Sequence, residues 1–381
     1  MTVTEPASHP PDLLYTEVET DLRASVADLL ADRCAPAALL ARCESDQPYD
    51  LDLWRTLAAD VGIAGLMVPE AAGGHGASAR ETAVVAEELG RSLAPVPFLG
   101  SAVLATSALL SAGESGAAAE LLARLASGRA AGALAVPLTA LPGEAFPGGV
   151  TVDEDGALTG SVGAVADAAV AEVLIVPALG PDGPALYAVE AGTPGVTVTP
   201  FVPLDLTRPP ADIALDGVQG ALLAGQDRAS TAVDAALTAG AAVLASEQLG
   251  LAEWCLDETV GYLKQRYQFG RPVGSFQALK HRLADLWLEV VSARAAARYV
   301  ADCLASGSAD TAVAASLAQA NCSGVAVHAA EECVQLHGGI GMTWEHPAHL
   351  YLKRAKADEL ALGTPGRHRA RLATLIDLPP A

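Results

Sequence analysis

An α+β fold, with helices at both ends and a sheet domain between them, is predicted by three observations. Apolar residues recur three or four apart up to about residue 130. They alternate in short runs broken by Pro and Gly up to about residue 226, and helical spacing then returns in longer segments. The expected organisation is a helical domain over 1–130, a β domain (barrel or sandwich) over 131–226, and a four-helix bundle over 227–381.

Each element has its own signal. "VETDLRASVADLLADRC", "LDLWRTLAADVGIAGL", "ASARETAVVAEELGRSL" and "GAAAELLARLASG" carry the helical period in the first zone, and "VPEAAGGHGAS" is a Gly-rich loop between two of them. In the second zone "GVTVDEDGALTGSVGAV" reads as a hairpin turning at "DEDG". "AEVLIVPAL", "PALYAVEA", "GVTVTPF" and "ADIALDGV" supply further strands. The third zone holds one long candidate helix ending at "GYLKQR", a second beginning at "FQALKH", a third ending at "VQLHG" and a fourth around "YLKRAKADELALG".

Composition excludes several function classes. Of 381 residues, 45 are acidic and 23 basic, a formal charge of −22 that repels nucleic acid and anionic lipid. Residues of the hydrophobic class make up 51% and charged residues only 18%, so extra surface is expected to be buried between subunits. The six cysteines show no CxxC spacing and read as reduced core residues. The N-terminus lacks a basic stretch followed by an apolar one, and no apolar run reads as a membrane span; a cytoplasmic protein is expected.

Two stretches carry chemistry. "RYQFGRPVGSFQ" sets Arg266, Phe269 and Gly270 around a turn after a long helix, suited to an anionic, partly aromatic ligand. Its plain alternative is that Arg266 and Arg271 simply complement helix C-termini. "QLHGGIGMTWEH" is a glycine turn in which Gly338 and Gly339 free the backbone, with Gln335 and His337 as side-chain donors. It is not a GxxxxGK phosphate loop. His337, His346 and His349 lie near Glu345, but without an HExxH pair, and with 337 and 346 on either side of a turn, a metal is not expected. No G-x-S-x-G elbow is present.

Taken together, the α-β-α zoning, "GIAGLMVPEAAGGHGAS", "GYLKQRYQFGRPVGSFQALKHRLADL" and "QLHGGIGMTWEHPAHLYLKRAK" resemble the acyl-CoA dehydrogenase family over nearly the whole chain. The resemblance implies FAD as cofactor, an acyl-CoA substrate desaturated between Cα and Cβ in fatty acid or lipid catabolism, and an electron-transfer flavoprotein as electron acceptor. It implies that Arg266 binds the FAD pyrophosphate, that Phe269 lies near the adenine half, and that Gln277 completes the loop. It further implies that Gln335, Gly338 and Gly339 reach the FAD of a neighbouring subunit, in a homo- or hetero-tetramer with a related chain.

The chain also departs from the family pattern. The usual catalytic Glu after the "R-x-A-K" helix falls at Leu362, although Gly363 and Thr364 match and Thr364 joins the implied cofactor-binding set. Leucine takes no proton, but its backbone N–H is left to polarise a thioester carbonyl. The alternative base position of some relatives falls at Gly240. Two turns further along that helix is Glu247, an acid on an apolar helix and the leading candidate for the base. The other readings are a buried Glu247 paired with an arginine such as Arg282, a base at Asp358 or Glu359, or a base on a partner chain. "VPLTALPGEAFPGG" keeps only Thr139 and Glu144 of the usual flavin-contacting stretch. "LDLTRPPADIALDGV" is similar to an actinobacterial subgroup with heteromeric members, in which one chain completes the FAD site of another.

Overall fold

The computed structural model describes residues 11–113 and 116–379. Local chemistry sets the first helices. α1 (Glu17–Arg33) begins at a capping box in which Thr16 and Glu19 satisfy each other's backbone N–H groups. α2 (Pro36–Cys43) starts on a proline, and α3 (Leu51–Thr56) is capped by the Asp50 carboxylate. Ser78 and Glu81 form a second capping box ahead of α4 (Ala79–Arg91). Wide π-type turns over Phe98–Ala105 lead into α5 (Thr106–Ala112), and α6 (Gly116–Ala126) follows.

The middle of the chain forms eight strands: β1 (Gly132–Leu134), β2 (Val150–Val152), β3 (Ala157–Val165), β4 (Val173–Gly180), β5 (Gly183–Glu190), β6 (Val196–Pro200), β7 (Ala211–Gln219) and β8 (Ala221–Gly225). Their order is β6-β7-β3-β2-β4-β5-β8, with β1 beside β4. The "DEDG" segment turns β2 into β3 as predicted, pairing Val152 with Leu158. Inward Leu158, Val162, Leu174, Val176 and Ile213 fill a core of their own.

The last zone is helical again. α7 (Gln226–Gln265) runs for 40 residues, then a small hairpin of β9 (Tyr267–Gln268) and β10 (Arg271–Pro272) leads into α8 (Gln277–Ser306). α9 (Thr311–His337), α10 (Ala348–Leu360) and α11 (Pro365–Leu375) complete it. α7 packs on α4, α8 and α9, and α10 and α11 pack on α9. The predicted α-β-α architecture is the one observed.

α7 is the spine of the molecule. Its alanines and glycines let neighbouring backbones come close: a methyl group on Gly250 would overlap the Glu87 carbonyl of α4, and one on Gly90 would overlap the Glu247 carbonyl. Buried Leu244, Leu249, Leu251 and Leu263 each contribute about 1.5–3 kcal/mol of burial. By length and composition α7 would qualify as a membrane span, contrary to the sequence expectation of none, but 72% of its most apolar window is buried inside the protein. It is a core helix.

Candidate active site and cofactor surface

Two positions that the sequence comparison could only align separately meet in space. Leu362 follows α10, is fully buried, and packs against Gly240 of α7; a Cβ on Gly240 would lie 2.9 Å from Leu362 Cδ1. Both aligned base positions thus converge on one apolar contact that contains no carboxylate. Leu362 is held at φ 54°, a left-handed backbone unusual for leucine. Its N–H donates to the Leu138 carbonyl at 2.6 Å, so the amide expected to await a thioester is engaged within the chain. The Leu362 carbonyl accepts from His368 Nε2 at 2.9 Å, leaving His368 Nδ1 buried without a partner. Burial pushes the His368 pKa down to about 4, so the ring is neutral.

Glu247 lies further along α7 and is 6% exposed. Arg208 Nη1 donates to both of its oxygens, at 3.0 and 2.9 Å, and Arg354 Nη1 donates at 2.6 Å. Arg354 also reaches Asp205 through Nε and Thr207 through Nη2, while Arg208 Nη2 bonds Asp358. Of the sequence alternatives, a buried, arginine-paired Glu247 matches this geometry, but with Arg208 and Arg354 in place of Arg282, which pairs with Glu332 on the surface. Asp358 is fully buried, and burial raises its pKa to about 8 despite Arg208. Asp205, Thr207 and Arg208 come from the "LDLTRPP" stretch ahead of β7. The segment singled out as a subgroup mark thus clamps the sheet to α7 and α10.

The cofactor-type residues lie elsewhere, on open surface. Arg266 is the residue after α7, and its guanidinium makes no ion pair or side-chain hydrogen bond among the described residues. Phe269, at φ 52°, is 88% exposed at the tip of the small hairpin. Arg271 instead lies over the Phe276 ring, 3.9 Å from its centroid. Gln277 opens α8, whose N-terminus has no side-chain cap among the described residues. At the end of α9, Gln335, Gly338 and Gly339 are exposed, and a Cβ on either glycine would meet nothing within 4 Å. An unpaired guanidinium, an exposed aromatic ring, a bare helix N-terminus and an open glycine turn fit an anionic cofactor with flat rings. Thr364 caps α11, its Oγ1 accepting from Arg367 N at 3.4 Å. Thr139 and Glu144 are both held by Arg367.

Comparison with known proteins agrees with this architecture. Residues 16–129 match the family model for the acyl-CoA dehydrogenase N-terminal domain, and residues 230–376 that for the C-terminal domain. An acyl-CoA dehydrogenase named IpdE2 from Mycolicibacterium smegmatis is 38% identical over 92% of this chain and 96% of its own. Its namesake from Mycobacterium tuberculosis is also 38% identical, over 93% of this chain and 96% of its own. Among solved structures, the ChsE4-ChsE5 complex from Mycobacterium tuberculosis superposes with a TM-score of 0.86 at 31% identity, covering 97% of this chain and 100% of that one. A Tcur3481-Tcur3483 steroid acyl-CoA dehydrogenase variant superposes with a TM-score of 0.83 at 32% identity, covering 95% and 98%. The chain belongs to the acyl-CoA dehydrogenase family. That family is FAD-dependent, and its members are oxidoreductases.

Proposed function

We propose that this chain is one subunit of a heteromeric acyl-CoA dehydrogenase, contributing FAD-binding surface while a related chain contributes the catalytic carboxylate. The observation that carries the reading is the Leu362–Gly240 contact, where both aligned base positions meet without an acid. Glu247 adds to it. A base must approach the substrate's α-C–H, and this carboxylate has both oxygens bound by two buried guanidiniums. The names of the two solved relatives, each pairing two different chains, point the same way.

In this reading Arg266 holds the pyrophosphate by charge-assisted hydrogen bonds, Phe269 covers the adenine half, and the N-terminal turn at Gln277 completes the loop. Gln335, Gly338 and Gly339 approach a cofactor bound largely by a second chain. FAD held there would supply the hydride acceptor for the substrate Cβ as the Cα–Cβ double bond forms. The α-proton would leave to the partner's carboxylate, since Leu362 and Gly240 offer no base at the aligned positions of this chain. An electron-transfer flavoprotein receives the electrons.

Purifying the chain alone and with a co-expressed related chain tests the proposal. Colourless protein alone, and yellow tetramer bleached anaerobically by an acyl-CoA when paired, is the expected result; a steroid-type acyl-CoA is the first substrate to try, given the neighbour's name. Yellow protein that is reduced without a partner overturns it. That outcome favours the second reading, Glu247 as base in a self-sufficient enzyme, which Glu247→Gln then checks. Flavin reduction slowed by at least about 100-fold per folded, flavin-loaded chain is required of a general base.

A further inference from the structure

We propose that Glu258, His337 and His346 form a binding site for one divalent cation of the zinc type. The three residues come from the last turns of α7, the end of α9 and the turn before α10. One donor atom from each lies within 4.8 Å of the others. His346 Nε2 is 3.7 Å from Glu258 Oε1, too long for a hydrogen bond, and the rings of His337 and His346 are 4.2 Å apart, centroid to centroid. The turn between the two histidines brings them together rather than holding them apart.

His337 supplies the independent observation. It is 2% exposed, and its Nε2 is buried with no hydrogen-bond partner among the described residues. Its Nδ1 contacts the Cys333 carbonyl at 2.7 Å. A carbonyl only accepts, so Nδ1 carries the proton and Nε2 presents its lone pair, the tautomer a metal-bound imidazole needs. Tyr262 stacks on the same ring at 4.3 Å and fixes its plane. A buried lone pair without a donor is an unfavourable arrangement unless something fills it.

Two imidazoles and one carboxylate make a three-ligand set of the kind zinc takes, with further positions open to water. Ligand atoms around a tetrahedral zinc ion are roughly 3.4 Å apart given bonds of about 2.0–2.2 Å. Donors already within 4.8 Å therefore need only small side-chain rotations. His346 must release the 3.2 Å contact that its Nδ1 accepts from Ala348 N, since Nδ1 takes the proton when Nε2 binds the ion. Glu258 is exposed and offers the ion a path from solvent. The bound cation joins three elements at the root of the turn bearing Gly338 and Gly339.

The test uses tag-free full-length chain stripped with chelator and titrated with Co²⁺. One equivalent should bind, with visible ligand-field absorption that Zn²⁺ abolishes. Changes in groups that merely support metal ligands cost about 10–100-fold in affinity. Glu258→Gln and His346→Asn remove direct ligands and should each weaken binding at least tenfold, with unchanged circular dichroism. Absence of saturable binding to the wild-type chain overturns the proposal. So does equal affinity in both folded variants.

Discussion

Arginine appears in two settings here that are near opposites. Arg208 and Arg354 are buried, and each pairs with acidic side chains from other elements. Arg266 stands on the surface with no such partner among the described residues, beside an exposed phenylalanine and a helix without a side-chain cap. The first arrangement spends its hydrogen bonds on holding the sheet against α7 and α10. The second leaves them open for a ligand. Glu247, the carboxylate inside the first, has its oxygens taken up by Arg208 and Arg354.

Breaking the buried set should be the costliest change. Arg354→Met leaves Asp205 and Glu247 each short of a charged partner, and stranding a buried charge costs about 3–5 kcal/mol. That is a large part of the roughly 5–15 kcal/mol of an ordinary domain. Urea unfolding should register it, with flavin per folded chain unchanged. A loss under about 1 kcal/mol would mean that water already serves these groups.

His368 belongs to the same dry interior and makes stability depend on pH. Its pKa is lowered from 6.5 to about 4 by burial, so the unfolded chain binds more protons between those values. The contribution is complete above about pH 6.5 and falls away as the pH drops toward 4, up to about 3 kcal/mol in all. Comparing the pH slopes of wild type and His368→Gln isolates it from the carboxylates. Equal slopes would remove His368 from the account.

How far the sequence revealed these two regions follows from distance along the chain. The open surface was legible because Arg266, Phe269 and Gln277 lie in one short turn, where Gly and Pro fix the local path. The long helices α7, α8 and α9 were legible through their spacing. Residues 98–112 were not, because a segment buried on all sides has no polar face to set a period. β1 and β8 were missed because "GAL" and "ALLAG" lack the alternation that marked β2 and β6 at the same lengths. Glu247 was visible as an acid in an apolar helix, but Arg208 and Arg354 lie 39 and 107 residues away. No local pattern pairs them. The arginine in "LDLTRPP" was the available clue.

Arg266→Ala probes the open surface. The fold should hold, since the guanidinium makes no ion pair or side-chain hydrogen bond among the described residues, while the affinity for FAD falls by about 10–150-fold, the equivalent of about 1.5–3 kcal/mol for bonds to a charged group. Flavin content of the assembled protein against circular dichroism reads both effects. Normal flavin content would return Arg266 to the role of a helix-end charge.

The smallest effect is expected at Thr364, the cap of α11. Its Oγ1 accepts from Arg367 N, a long cap bond at 3.4 Å, while the hydroxyl proton is not used by that bond and the residue is only half-buried. One hydroxyl can therefore cap α11 and still donate to a ligand oxygen. Thr364→Ala should lose about 0.5 kcal/mol of stability, the low end for a cap. It should also lose about 1 kcal/mol of flavin affinity, the worth of one neutral hydrogen bond. Thr364→Ser keeps the hydroxyl and should restore both. If alanine lowers stability alone, Thr364 is part of the scaffold. If alanine lowers flavin affinity beyond its effect on stability and serine restores it, the O–H donates to the cofactor.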